Sequence, residues 1–234
     1  MISSAGIFYS FGRYLPLEIF PSSPDGVECC RLAMERLILV RLDEALPLRG
    51  HLLDVLEVKD RERATRYRRE EDQTRFALGR LLISRFVGTG SMEYGDKGKP
   101  FLAGRAPFNL SHSGNFVGLY VGETEVGLDV EEISRCHMDI VSGAFTKEEA
   151  ASIHDQESFA YAWTRKEAVT KCLGSGISRP SELGLIKKSE GVYQYLNELY
   201  RVSSFALEGH VLSMAKQNDA PFPEPEFISP SDLI

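Results

Sequence analysis

Val126-Gly127-Leu128-Asp129-Val130-Glu131 sets two carboxylates two residues apart inside an apolar run. In an extended chain the side chains at i and i+2 leave the same face. The spacing therefore projects Asp129 and Glu131 together and turns Leu128 and Val130 the other way. Like charges held this close raise each other's pKa unless a cation lies between them. A divalent metal would meet that need, and an all-oxygen ligand set favours magnesium or manganese over zinc. The same pattern also describes an edge strand whose polar face is simply acidic, so the neighbouring stretches have to decide.

Upstream, Phe108-Asn109-Leu110-Ser111-His112-Ser113-Gly114 runs an apolar strand start into hydroxyls and an imidazole. Such donors suit a phosphate, or equally a serine turn that ends a strand. A Ser–His nucleophile pair is sterically poor, because adjacent side chains of an extended chain oppose each other, and no Gly-x-Ser-x-Gly elbow is present. Asn115 to Val121, the connection Gly122 to Glu125 and the acidic strand read together as a hairpin. Further upstream, Gly95-Asp96-Lys97-Gly98-Lys99-Pro100 is a turn by local rules, with two lysines flanking a glycine. It is a backbone turn and also a candidate anion cradle.

Downstream, Thr146 with Glu149 three residues later forms the capping-box pattern at a helix start, a sufficient structural reason for both. Ser158 to Leu173 reads as a helix on which Trp163, Glu167 and Lys171 share a face at i, i+4 and i+8. An exposed Glu167–Lys171 pair would be ordinary and worth about 0.3 to 0.5 kcal/mol. The chain's only tryptophan on that face argues for partial burial, where such a pair needs partners.

The remaining pattern gives a first strand over Glu35 to Leu42, a short helix over Leu48 to Leu56, and a long helix over Asp60 to Val87 with a break near Glu71 and Asp72. Seven arginines fall between Arg61 and Arg80. Interleaved acids make a solvated face the ordinary account of them, and Arg75 by the same token a surface residue with its stem on apolar neighbours. Tyr193 to Leu196, Tyr200 to Leu207 and His210 to Ala215 read as strands of a second sheet. A net charge of −7 speaks against a general nucleic-acid binder. Four cysteines without CxxC spacing fit reduced thiols. No run approaches the roughly 18 apolar residues of a membrane span, and the N-terminus does not read as a signal peptide. A cytoplasmic protein without nucleic-acid or membrane partners is expected.

In chain order the sequence thus holds Lys97 to Pro100, Phe108 to Ser113, Val126 to Glu131, Phe145-Thr146-Lys147-Glu148-Glu149 and Trp163-Thr164-Arg165-Lys166-Glu167-Ala168-Val169-Thr170-Lys171. That ordered set resembles the 4′-phosphopantetheinyl transferase superfamily, in its surfactin-activating (Sfp) type, over residues 35–218. The resemblance implies an α+β fold of two similar α+β halves related by a pseudo-twofold, with a ligand cleft between them. On it the chain divides into an irregular N-terminal arm at 1–34, halves at 35–125 and 126–218, and a Pro-rich surface tail at 219–234. It implies Asp129, Glu131 and Glu167 as ligands of Mg2+, or of Mn2+, with Glu167 also a candidate general base. Lys97, Gly98, Lys99, Pro100, Asn109, Leu110, Ser111, His112 and Lys171 match positions that hold coenzyme A, beside Asp129 and Glu167. Arg75, and more loosely Arg63, match basic residues that reach its 3′-phosphate.

The implied reaction moves the phosphopantetheine arm of coenzyme A onto a serine of an acyl or peptidyl carrier protein. Adenosine 3′,5′-bisphosphate would leave, with Lys171 and His112 stabilising its charge. A coenzyme A-binding regulator on the same fold is the alternative, although it would be expected to have lost a carboxylate or Lys171, and all are present. A monomer is expected, because one chain carries a whole cleft.

Overall fold

The computed structural model describes residues 35–177 and 180–234. The arm expected at 1–34 lies outside the described residues. The first half runs β1 (Arg36–Arg41), α1 (Leu42–Ala45), α2 (Arg49–Asp54), α3 (Val58–Ala64), α4 (Glu70–Phe86), β2 (Met92–Tyr94), β3 (Pro100–Leu102), β4 (Phe108–Ser113) and β5 (Phe116–Val121). The second runs β6 (Val126–Glu132), α5 (Val141–Ala144), α6 (Lys147–Ala150), α7 (Gln156–Leu173), β7 (Ile186–Ser189), β8 (Val192–Tyr195), β9 (Glu198–Leu207), β10 (His210–Lys216) and β11 (Pro225–Phe227). The fold is α+β, as expected.

One connectivity occurs twice. A strand leads to a long helix, then a small hairpin, then a larger hairpin whose last strand pairs with the first: β1, α4, β2–β3 and β4–β5, then β6, α7, β7–β8 and β9–β10. The sheet orders follow, β11-β1-β5-β4 and β6-β10-β9-β8-β7. This repeat is what the two similar halves look like in strand order. The tail expected along the surface also takes part, since β11 pairs parallel with β1 and Leu233 joins the first core.

Alternation along β1 explains why the first sheet is covered on both faces. Ile38 and Val40 pack with Leu78 and Leu82 of α4, whereas Leu37 and Leu39 meet Leu128 and Val130 of β6 and Leu212 and Met214 of β10. Behind the second sheet, Ala168, Val169 and Cys172 of α7 pack on Tyr200, Val202 and Ala215. Both ends of α7 are stopped by its own sequence: Asp155 and Ser158 form a capping box, and Gly174 closes the helix in the left-handed conformation at φ 74.

Two expectations are corrected. The acidic strand does not form a hairpin with Phe116–Val121. β5 is flanked by β1 and β4, while β6 pairs with β10, so Gly122–Glu125 is a crossing between sheets. Local alternation could not reveal this, because β5 takes the preceding strand β4 on one edge, across the Gly114–Asn115 turn, and the distant β1 on the other. The helix expected over 60–87, with a break near Glu71 and Asp72, is two helices whose break falls earlier, at Thr65–Arg69, before the acids Glu70, Glu71 and Asp72 that favour a helix N-terminus.

Candidate active site

Among the described residues β6 pairs on one edge only, with β10. Its other edge would strand the N–H groups of Leu128, Val130 and Glu132, and buried N–H groups need acceptors. Side chains supply them. The Leu128 N–H donates to Asn109 Oδ1 at 2.9 Å, that of Val130 to Ser111 Oγ at 3.2 Å and that of Glu132 to Ser113 Oγ at 3.1 Å. The polar alternate face of β4 thus replaces a backbone ladder and joins the sheets. The same hydroxyls donate onward, Ser111 to Asp129 Oδ1 and Ser113 to Glu131 Oε2, each at 3.0 Å. Both carboxylates therefore leave one face of β6, while Leu128 and Val130 face the core, as their spacing required.

Gly127 lets α7 come down on this face. A Cβ there would stand 1.9 Å from the Ala168 carbonyl oxygen and 2.5 Å from the Cys172 nitrogen, which no side chain allows. That contact brings Lys171 to the acids. Its Nζ donates to Asp129 Oδ1 at 2.5 Å and to Ser111 Oγ at 3.3 Å, and lies 3.9 Å from Glu167 Oε2. Asp129 is 3% exposed, and its second oxygen, Oδ2, is buried without a hydrogen-bond partner among the described residues.

Burial pushes the Asp129 carboxyl up from its ordinary value, against the lowering by Lys171 and Ser111. Burial likewise raises Glu131, with Asp129's charge adding to it, and raises Glu167 despite Lys171. Burial opposes the charge on Lys171, but Asp129 and then Glu167 outweigh it and its pKa is raised. The four groups form one charge-coupled set drawn from β6 and α7.

His112 points from β4 to the side opposite Ser111. Surrounding protein, then the charges of Arg75 and Lys171, hold its imidazole below the ordinary value, although the side chain reaches solvent. Arg75, on α4, donates to Asp72 Oδ1 and to the Gly114 carbonyl, both at 3.0 Å. A cationic locale made by both halves therefore adjoins the acids.

Other expected residues have different employment. Asn109 and Ser111 are buried and committed to β6, and Leu110 packs on α4 at Gly79. Lys99 ties the hairpin to Glu125, to the Val126 carbonyl and to the Cys172 carbonyl at the end of α7. Gly98 holds the turn at φ 84, Pro100 begins β3, and Lys97 is exposed beside them. Arg63 reaches the Tyr94 hydroxyl at 3.5 Å and lies over the Phe76 ring. Glu149 completes its capping box with Thr146.

The metal set expected from Asp129, Glu131 and Glu167 is not assembled as such. Among the described residues no three His, Cys, Asp or Glu side chains stand together as a metal site. The Lys171 ammonium lies against Asp129. The donor chemistry fits a hard divalent ion: three carboxylates with raised pKa values and one buried carboxylate oxygen without a hydrogen-bond partner among the described residues.

Sequence reasoning read Ser113 as a phosphate donor and missed that it serves Glu131 and the Glu132 N–H, and it missed the roles of Gly127 and Gly114. The signal for Ser113 was its two-residue spacing from Asn109 and Ser111. For the glycines, only the tertiary contact discloses the need.

Residues 125–213 match the family model of the 4′-phosphopantetheinyl transferase superfamily. The chain is 27% identical over 145 residues to the 4′-phosphopantetheinyl transferase Sfp of Bacillus subtilis, which covers 55% of this chain and 64% of that protein. It is 31% identical over 164 residues to a putative 4′-phosphopantetheinyl transferase of Synechocystis, covering 61% and 66%. It is 37% identical over 108 residues to the 4′-phosphopantetheinyl transferase AcpT of Salmonella typhimurium, covering 41% and 56%. The matched stretches span less than two thirds of these relatives' lengths. The resemblance to this superfamily, including that to the surfactin-activating type, holds, and the matched residues take in the last three of the five motifs.

Proposed function

We propose that this chain, similar to 4′-phosphopantetheinyl transferases, moves the phosphopantetheine arm of coenzyme A onto a serine hydroxyl of an acyl or peptidyl carrier protein and releases adenosine 3′,5′-bisphosphate. The observation that carries the reading is Lys171, which joins Asp129 of β6, Glu167 of α7 and Ser111 of β4 at the seam of the two halves. Coenzyme A is a polyanion at its pyrophosphate and 3′-phosphate, and the Arg75–His112–Lys171 locale offers positive charge and N–H donors to it. Lys97, Lys99 and Arg63 are proposed as further phosphate contacts, of which Lys99 would act from the end of α7.

Burial raises the pKa of Glu167 and so makes it a stronger base toward the incoming serine hydroxyl. Lys171 and a neutral His112, each a donor, stabilise the charge on the departing bisphosphate. Asp129, Glu131 and Glu167 would hold Mg2+, or Mn2+, which when bound neutralises the pyrophosphate and orients it for attack. The reading places the protein in the cytoplasm as a monomer, without nucleic-acid or membrane partners. Among the described residues no helix is long and apolar enough to cross a membrane.

The test is to incubate the protein with coenzyme A, Mg2+ and apo carrier proteins of fatty-acid, polyketide and peptide type, and to weigh the carriers. Gain of one phosphopantetheine group on a carrier is expected. No gain on any of them would overturn the transferase reading.

A further inference from the structure

From the contacts at the β4–β5 turn we infer that His210 is a positioning residue for the anion-binding side of the site, acting through Gly114 and Asn115 on Arg75. This inference rests on the coenzyme A reading above. His210 opens β10 and is 5% exposed. Its Nε2 accepts the Asn115 N–H at 3.3 Å, and its Nδ1 lies 2.9 Å from the Glu208 carbonyl oxygen. An N–H can only donate, so Nε2 is unprotonated and Nδ1–H donates to Glu208. The ring is further held edge-on to Phe116, with centroids 4.9 Å apart.

Both sides of this latch are tight turns. On one side, Glu208 and Gly209 both have positive φ, 47 and 74, as a two-residue hairpin of type I′ requires. Glu208 is strained there for want of a glycine's freedom. The Arg41 pair on its carboxylate and the His210 hydrogen bond on its carbonyl hold it in place. On the other side, Gly114 has φ 50, and a Cβ on it would stand 2.3 Å from His210 Nε2 and 2.5 Å from Glu132 Oε2. The Gly114–Asn115 turn is thus moulded on His210. From it the Gly114 carbonyl accepts Arg75 at 3.0 Å, and His112 lies two residues upstream on β4. A histidine of the second half so fixes the height at which an arginine of the first half is presented.

The test compares the wild-type protein with His210→Phe, which keeps a ring but neither nitrogen, and with His210→Gln, which keeps one donor and one acceptor. In His210→Phe the Kd for coenzyme A by calorimetry is expected to rise about five- to tenfold, as for a lost hydrogen bond. KM should rise in step while kcat stays within about twofold, since the lost contact serves binding. Amide exchange at Asn115 should accelerate. His210→Gln should restore both readouts to within about twofold of wild type, by the same reasoning.

A His210→Phe protein with unchanged affinity and unchanged Asn115 exchange overturns the inference, even if its stability has fallen. If that variant does not fold, His210→Ala with added imidazole, which refills the ring's place, stands in: affinity must fall and then recover, and failure to recover overturns it. Wild-type protein that does not bind coenzyme A overturns the functional reading instead, and Asn115 exchange then decides the latch separately.

Discussion

Two lysines five residues apart on α7 each meet a carboxylate, half-buried Glu149 for one and buried Asp129 for the other, and their surroundings differ. Lys166 is fully buried, and its Nζ donates to Glu149 Oε2 at 2.8 Å, to the Ala144 carbonyl at 3.3 Å and to the Pro180 carbonyl at 2.5 Å. Glu149 in turn takes the Thr146 N–H at 2.9 Å and the Leu185 N–H at 2.7 Å. Every strong donor and acceptor there is used, and the pair clamps α6 and the segment after α7. Lys171 is part-exposed and shared between two acids, while Asp129 keeps one buried oxygen without a partner among the described residues. Buried charges are tolerated when fully paired. The satisfied pair belongs to the architecture, and the unsatisfied one is where the proposed ligand would change the energy most.

The largest expected effect falls on the unsatisfied pair. Asp129→Ala should lower the transfer rate by about 10³-fold or more, as for loss of a central electrostatic group, with the circular dichroism spectrum unchanged. Retained transfer would remove Asp129 from the site and erase the contrast between the lysines.

Next comes the satisfied pair. Removing one partner of a buried ion pair costs about 3 to 5 kcal/mol, so Lys166→Met should lose that much stability in urea unfolding. The double variant with Glu149→Leu should regain only part of it, because the Thr146 and Leu185 N–H groups then lose their acceptor. A single variant as stable as wild type would show that Lys166 is no clamp.

Divalent ions sharpen the comparison without an assay of turnover. Asp129, Glu131 and Glu167 have raised pKa values, so the folded protein holds their protons to higher pH than the unfolded chain does. Their contribution is full below the ordinary carboxylate range and is lost as pH rises through the folded values. Wild type should therefore lose stability relative to Asp129→Asn over that rise. Mg2+ added near neutral pH should raise the melting temperature of wild type by a few degrees, roughly a 1 kcal/mol effect, and leave Asp129→Asn unmoved. Equal shifts in both proteins would exclude Asp129 as a ligand.

The smallest effect belongs to Arg41–Glu208, a pair whose side chains are 27% and 50% exposed. The Arg41 guanidinium holds Glu208 below its usual value. That stability is present above the ordinary glutamate range and fades as pH falls through the depressed value. Glu208→Gln should cost no more than about 1 kcal/mol at neutral pH, after solvent screening, and the difference should vanish in acid. A cost that persists in acid would mean that the Glu208 backbone strain, rather than its charge, was being held.

Much of the site was legible from spacing because neighbours on one element are set by its period. Asp129 and Glu131 share a strand face, Glu167 and Lys171 a helix face, and Thr146 with Glu149 a cap, all from local geometry alone. The order of motifs likewise carried the α+β class and the resemblance. What local sequence does not contain is which elements meet. That Lys171 reaches Asp129 depends on a glycine contact between α7 and β6. That Asn109, Ser111 and Ser113 serve backbone N–H groups depends on β6 having one free edge. The assignment of Lys166 to the frame and Lys171 to the site depends on counting partners supplied by distant segments. Hydrogen-bond satisfaction is a property of the assembled interior, so only the tertiary structure decided it.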